Sequence, residues 1–164
     1  MWAGAFLNLG NSSSYYGMKV QAGTNDASGT NYMIDFYDGD GGWEGSVTLT
    51  NGTLAIYNTS DARLKQDIKS TGINALGLLK DLEVVDFSYA KSPLAKHTGY
   101  IAQDAQKVFP EMVLYNDRDD TYATSQTQLI PVLHKAILEQ QQMIEAQAKK
   151  IEELELMVKQ LTVK

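Results

Sequence analysis

The sequence has no cysteine, only three prolines, and a single basic residue, Lys19, ahead of Ser60. Without cysteine there is no disulfide framework, no thiolate zinc site and no thiol nucleophile. The net charge is -6, and no cluster of Lys and Arg is dense enough to follow a phosphate backbone, which argues against nucleic acid as a partner. Membrane partners are disfavoured too, because no run approaches the roughly 20 apolar residues of a span. The opening Met1-Trp2-Ala3-Gly4-Ala5-Phe6-Leu7 lacks the basic stretch of a signal peptide. No glycine-rich phosphate loop precedes a helix, and Gly39-Asp40-Gly41-Gly42 reads as a turn.

What is present changes character at Ser60. Ten of the 13 glycines precede it, in a stretch rich in Ser, Thr, Asn, Asp and Tyr. Short β-like runs are expected at Tyr15–Gln21, Tyr32–Tyr37, Ser46–Thr50 and Leu54–Tyr57. Asn51-Gly52, between Val47-Thr48-Leu49 and Leu54-Ala55-Ile56, predicts a tight hairpin. Large aliphatics are too few here to build a core from one chain, so these strands are expected to wind around copies of themselves.

Beyond Ser60 the spacing of Ile73, Leu76, Leu79 and Leu82 predicts a helix. Val84–Tyr89 and Met112–Tyr115 read as strands, Gly99–Ala102 as a short strand or turn, and Asp104–Val108 as a helix stopped before Pro110. Asn116-Asp117-Arg118-Asp119-Asp120 reads as a solvated turn rather than a cation site. From Gln126 onward the pattern is helical. Ile130, Ile137, Ile144, Ile151 and Val158 recur every seven residues, and Leu133, Gln140, Gln147, Leu154 and Leu161 follow each by three. These are the a and d positions of a coiled coil. Apolar residues at flanking positions, Ala136, Met143, Ala148 and Met157, widen the stripe and favour three or more helices over two. Gln140 and Gln147 place polar groups in the seam, where they would fix register.

Candidate nucleophiles are few. His134 falls at an e position of the heptad and His97 in a polar surface stretch, neither with a serine or acid at a useful spacing. Ser60 and Lys65 remain. A serine hydroxyl needs a base to take its proton. Lysine serves only when neutral, whereas a fully solvated lysine at pH 7 is almost wholly charged. Burial or a nearby cation would favour the neutral form, and Arg63 is a candidate for that cation.

The run Ser60-Asp61-Ala62-Arg63-Leu64-Lys65-Gln66-Asp67-Ile68 resembles the self-cleavage motif of the C-terminal intramolecular chaperone domains of phage tail spikes and tail fibres, including endosialidase tail spikes and neck appendages. Gly99-Tyr100-Ile101-Ala102-Gln103-Asp104 with Phe109-Pro110-Glu111-Met112-Val113 is similar to a second block of that family. Leu129-Ile130-Pro131-Val132-Leu133, leading into Ala136-Ile137-Leu138-Glu139, is similar to a third. The resemblance implies an α+β architecture in three parts: the end of a triple β-helix or β-prism fibre stalk (1–59), a chaperone and self-cleavage domain (60–125), and a C-terminal helix in a trimeric coiled coil (126–164). It implies a serine–lysine dyad of Ser60 (nucleophile) and Lys65 (general base), with Asp61 and Arg63 as supporting motif positions. It further implies a homotrimer whose folding client is the upstream fibre of the same chain, with no cofactor and no metal. The setting implied is a virion tail-fibre precursor made in the host cytoplasm.

Resemblance places the cut between Ser60 and Asp61. Attack by Ser60 Oγ on its own carbonyl needs a four-membered ring, however. Attack on the Thr59 carbonyl needs a five-membered ring and would cut Thr59–Ser60, while Ser60 of a neighbouring chain could reach Ser60–Asp61. Both bonds remain open. The competing function is an uncleaved fibre tip or adhesin, with Tyr15, Tyr16, Tyr32, Tyr37 and Trp43 as a receptor or glycan surface.

Overall fold

Asn51 and Gly52 both take positive φ, 48° and 78°, the left-handed pair that a two-residue turn needs if its twist is to match the strands it joins. Around this turn β2 (Trp43–Thr50) and β3 (Thr53–Asn58) pair antiparallel, with Val47 opposite Ile56 and Leu49 opposite Leu54. On its other edge β2 pairs antiparallel with β1 (Thr30–Tyr37), giving a three-stranded meander in the order β1-β2-β3. The turn is tied to the start of β1: Asn51 N–H donates to the Gly29 carbonyl at 2.9 Å, and Gly29 N–H donates to Asn51 Oδ1 at 3.0 Å. Gly45 is obligatory for another reason, since a Cβ there would lie 2.2 Å from the Tyr57 carbonyl oxygen.

The computed structural model describes residues 19–23 and 28–162. Of the expected run Tyr15–Gln21, residues 15–18 lie outside the described residues, and 19–21 are not in a strand. The chain divides into two units, Met1–Lys69 and Ser70–Lys164. No helix among the described residues is long and apolar enough to cross a membrane.

The second unit holds the core. Helix α1 (Ala75–Asp81) lies inside the expected run but starts two residues after Ile73, with Asn74 accepting from Gly77 N–H at 3.0 Å as its cap. A hairpin follows, β4 (Val85–Tyr89) with β5 (Ser92–Gly99). Most of β5 was expected as irregular polar surface. Pro93 and a lack of alternation hide it, and a two-stranded ribbon tolerates both because each strand is an edge. Helix α2 (Ala102–Val108) ends before Pro110, and β6 (Val113–Asn116) pairs with β7 (Thr121–Thr124) across the acidic turn. The long helix α3 (Leu129–Thr162) closes the chain, with Pro131 in its first turn, where no intrahelical N–H is lost. Its 34 residues span about 51 Å at 1.5 Å per residue. Ala75, Leu82, Ala105, Phe109, Met112, Leu129, Val132 and Ala136 form one buried cluster. Met112 is among the largest fully buried side chains. Truncating it to alanine is expected to cost about 2–5 kcal/mol, from lost transfer energy and the cavity left behind. A drop in Tm of the second unit, read by circular dichroism, checks this.

Helix α3 meets its own unit through Leu129, Val132 and Ala136, one turn-spaced face. Ala136 is therefore committed to the core and does not widen the coiled-coil stripe, a correction to the expectation for that position. Three residues further on the same face, the Glu139 carboxylate accepts from Ala75 N–H at 3.3 Å and Leu76 N–H at 2.9 Å. With Asn74, it satisfies the first three amides of α1, which have no partner within the helix. The Leu76 amide holds the Glu139 carboxyl below its ordinary value of 4.5, helped by the Ala75 amide and the Lys135 ammonium and opposed by partial desolvation. A carboxyl depressed in the folded state stabilises it above the unfolded pKa and loses that effect as pH falls through the lower, folded value. Between neutral pH and the acid region below 4.5, wild-type Tm is thus expected to fall more steeply than that of Glu139→Gln. Parallel acid slopes in thermal melts of the two chains would remove Glu139 from this role.

Candidate functional site

The chain leaves the first sheet at Thr59, which is held on β2 by two bonds. Its N–H donates to the Glu44 carbonyl and its Oγ1 to the Trp43 carbonyl, each at 2.8 Å. Asp61 then caps a single 3-10 turn, Ala62–Leu64, its side chain accepting from Arg63 N–H at 2.8 Å. The turn is closed by Leu64 N–H to the Asp61 carbonyl and Lys65 N–H to the Ala62 carbonyl, both 3.1 Å. At Lys65 the backbone is extended again, with φ -116° and ψ 146°. Ser60 is thus the one residue between two held segments, and the turn folds the chain back across it.

That return brings the two candidate catalytic side chains together. Lys65 Nζ donates to Ser60 Oγ at 2.7 Å. The bond has the length of a charge-assisted contact, with the ammonium as donor. For base catalysis the same geometry must be used in reverse, with a neutral amine accepting the serine proton. Both side chains are exposed. Water competes for each of them.

Arg63 takes a different partner from the one the sequence offers. Its Nε lies 3.1 Å from both Asp61 carboxylate oxygens, and its Nη2 lies 2.6 Å from Oδ2. The guanidinium holds the Asp61 carboxyl below its usual value, with the Arg63 amide adding to the effect, and the carboxylate raises Arg63 in turn. The pair spans the turn, from its cap to its middle residue. With the arginine side chain 88% exposed, its contribution to stability is small.

The other candidates lie apart from this turn. His97 is on β5, stacked on Phe87 with ring centroids 5.6 Å apart. His134 is on an exposed face of α3. Tyr32, Tyr37 and Trp43 line a shallow depression with Asp35 on the first sheet, while Tyr15 and Tyr16 lie outside the described residues. In the acidic turn, Asp119 and Asp120 are engaged by Asn116 Nδ2 at 2.9 Å and Tyr115 OH at 2.8 Å. Among the described residues no group of three or more His, Asp and Glu converges as a metal site. The a and d residues of α3 are exposed, Ile130 at 64% and Ile137 at 63%, and from Gln140 to Thr162 every residue of the helix is exposed. Two structural roles were not foreseen in the sequence, the anchoring of Thr59 on β2 and the capping of α1 by Glu139. Thr59 has only its place at a strand end to mark it, and Glu139 lies three residues beyond the buried Ala136 on one helix face.

No curated protein matches the chain. A sequence profile of a peptidase family does, over residues 60–114, beginning at the serine that meets Lys65. Its description is "Chaperone of endosialidase", and residues 60–114 of this chain match that family's model.

Proposed function

We propose that the chain is a self-cleaving assembly module, in which the C-terminal part gathers three copies, supports the folding of their β-segments and is then cut away at Ser60. The observation that carries this reading is the 2.7 Å contact between Lys65 Nζ and Ser60 Oγ, at the first residue of the family match. Neutral Lys65 takes the Ser60 proton as Oγ attacks a carbonyl carbon. The C–N bond breaks, the leaving nitrogen takes the proton to become a free amine, and an ester remains. Water hydrolyses the ester, so each chain turns over once. Attack on Ser60–Asp61 comes from the serine of a neighbouring chain, whereas attack on Thr59–Ser60 proceeds within the chain. Edman sequencing of the C-terminal fragment separates them: aspartate first for the former, serine first for the latter.

The trimer is supported by the bare heptad stripe. A lone amphipathic helix would turn its a and d residues onto its own unit. Here Leu129, Val132 and Ala136 face the core, and the a and d side chains have no cover among the described residues. An apolar stripe of this length in water calls for partner helices, because an isolated helix of this kind is marginal. Met143 and Met157, 55% and 52% exposed beside the seam, favour three helices over two. Intertwined strands form slowly, since non-local pairing must first overcome closure and association entropy. A local helical seam raises the effective concentration of the strands. Removing it afterwards leaves the fibre behind a kinetic barrier. Cleaved β-segment, denatured and returned to buffer without the C-terminal piece, is therefore expected to stay unassembled. Rapid, complete recovery would contradict the folding role.

A further inference from the structure

The three-stranded sheet has one face that is wholly aliphatic and aromatic and one that mixes aromatic rings with polar groups. Register across β1-β2-β3 puts Ile34, Val47 and Ile56 in one row, with Leu49 and Leu54 on the same face. Phe36, opposite Gly45, belongs to it as well. This face is aliphatic yet bare, with Ile56 72% and Leu54 65% exposed. The other face carries Ser46 and Thr48 in its middle strand, with the exposed Tyr32, Asp35 and Tyr57 opposite them. Ser46 and Thr48 are each 1% exposed, and Trp43 Nε1 donates to Ser46 Oγ at 2.9 Å while Ser46 Oγ donates to Asp35. Every buried hydrophobic side chain among the described residues lies in the second unit, from Ala75 to Ala136. A three-stranded sheet with no buried apolar side chain lacks the main favourable term of folding.

We infer that the aliphatic face, Ile34, Phe36, Val47, Leu49, Leu54 and Ile56, is the surface by which the β-segments of three copies pack on one another, with the Trp43–Ser46–Asp35 face turned outward. The identity of the occupant rests on the assembly proposed above; the choice of face does not. Two features favour a copy of this chain. The face holds no charged residue, so bringing identical surfaces together sets no like charges against each other, whereas the opposite face would set Asp35 against Asp35. The bare a and d stripe of α3 is the means by which the same chain would hold three such faces at high local concentration.

The absence of cysteine makes the test clean. Ile56→Cys and Tyr57→Cys, adjacent on β3 but on opposite faces, are each made in the uncut Ser60→Ala chain, with the helical seam intact or broken by Ile144→Asp and Ile151→Asp. Light scattering gives the assembly state and maleimide labelling gives the cover. With the seam intact, Ile56→Cys is expected to react about tenfold or more slower than Tyr57→Cys. With the seam broken, the two should react alike. Equal rates in a trimeric chain would overturn the face assignment alone. Slow reaction of Ile56→Cys in both backgrounds would also overturn it, by showing cover from the chain itself. A single-chain mass with the seam intact would overturn the assembly reading and this inference with it.

Discussion

Ser60→Ala is expected to leave the chain whole, running as one band on a denaturing gel where the wild type gives two. The hydroxyl is the only atom in the turn that can form the ester, so its loss removes the reaction rather than slowing it. Lys65→Ala should be nearly as severe, because a positioned general base contributes about 10²–10⁴-fold. Lys65→Arg discriminates base from prop. Arginine can donate to Ser60 Oγ and hold it, but it does not lose its proton in proteins. If Lys65 acts as the base, Lys65→Arg is as uncut as Lys65→Ala, and a normally cleaved Lys65→Arg chain would reduce the lysine to a positioning role. All three variants leave the heptads of α3 intact and should assemble as the wild type does.

Breaking the seam should have the second largest effect. Ile144→Asp together with Ile151→Asp would put six carboxylates into the core of a three-stranded coiled coil, two from each chain. Each unpaired charge taken out of water costs several kcal/mol. Every 1.4 kcal/mol is a factor of about ten in the association constant. Light scattering should therefore report single chains across the micromolar range, while the second unit keeps its fold, since Leu129, Val132 and Ala136 are untouched. A double variant of unchanged mass would show that α3 does not hold the copies together. Gln140→Ile is expected to act in the opposite direction, tightening assembly while loosening register.

Much of the architecture was legible because single residues dictate it. Asn51-Gly52 predicts its own hairpin, since few other pairs accept two positive φ values in succession. The spacing from Ile73 to Leu82 marks α1, although its cap, Asn74, and the partner of its first two amides, Glu139, are residues that spacing does not mark. The heptads gave α3, but its inner face, Leu129-Val132-Ala136, was invisible to a search for the seven-residue period. A helix serving both its own core and a seam presents two stripes, and only the longer one is periodic. β5 was missed because Pro93 and a run of polar residues carry no alternation.

At the site, the five-residue spacing of Ser60 and Lys65 was weak by itself. Their contact depends on a 3-10 turn whose cap, Asp61, was legible only as a motif position. The partner of Arg63 was not legible from spacing: Asp61, two residues back, takes it through both carboxylate oxygens.

Intact-mass spectrometry of the purified wild-type chain under denaturing conditions, beside Ser60→Ala, is the most direct test of self-cleavage. Two masses that divide the wild type at Ser60–Asp61 or Thr59–Ser60, with Ser60→Ala at the full mass of 18.1 kDa, are the expected result. A wild type at full mass, or a break that persists in Ser60→Ala, would contradict it.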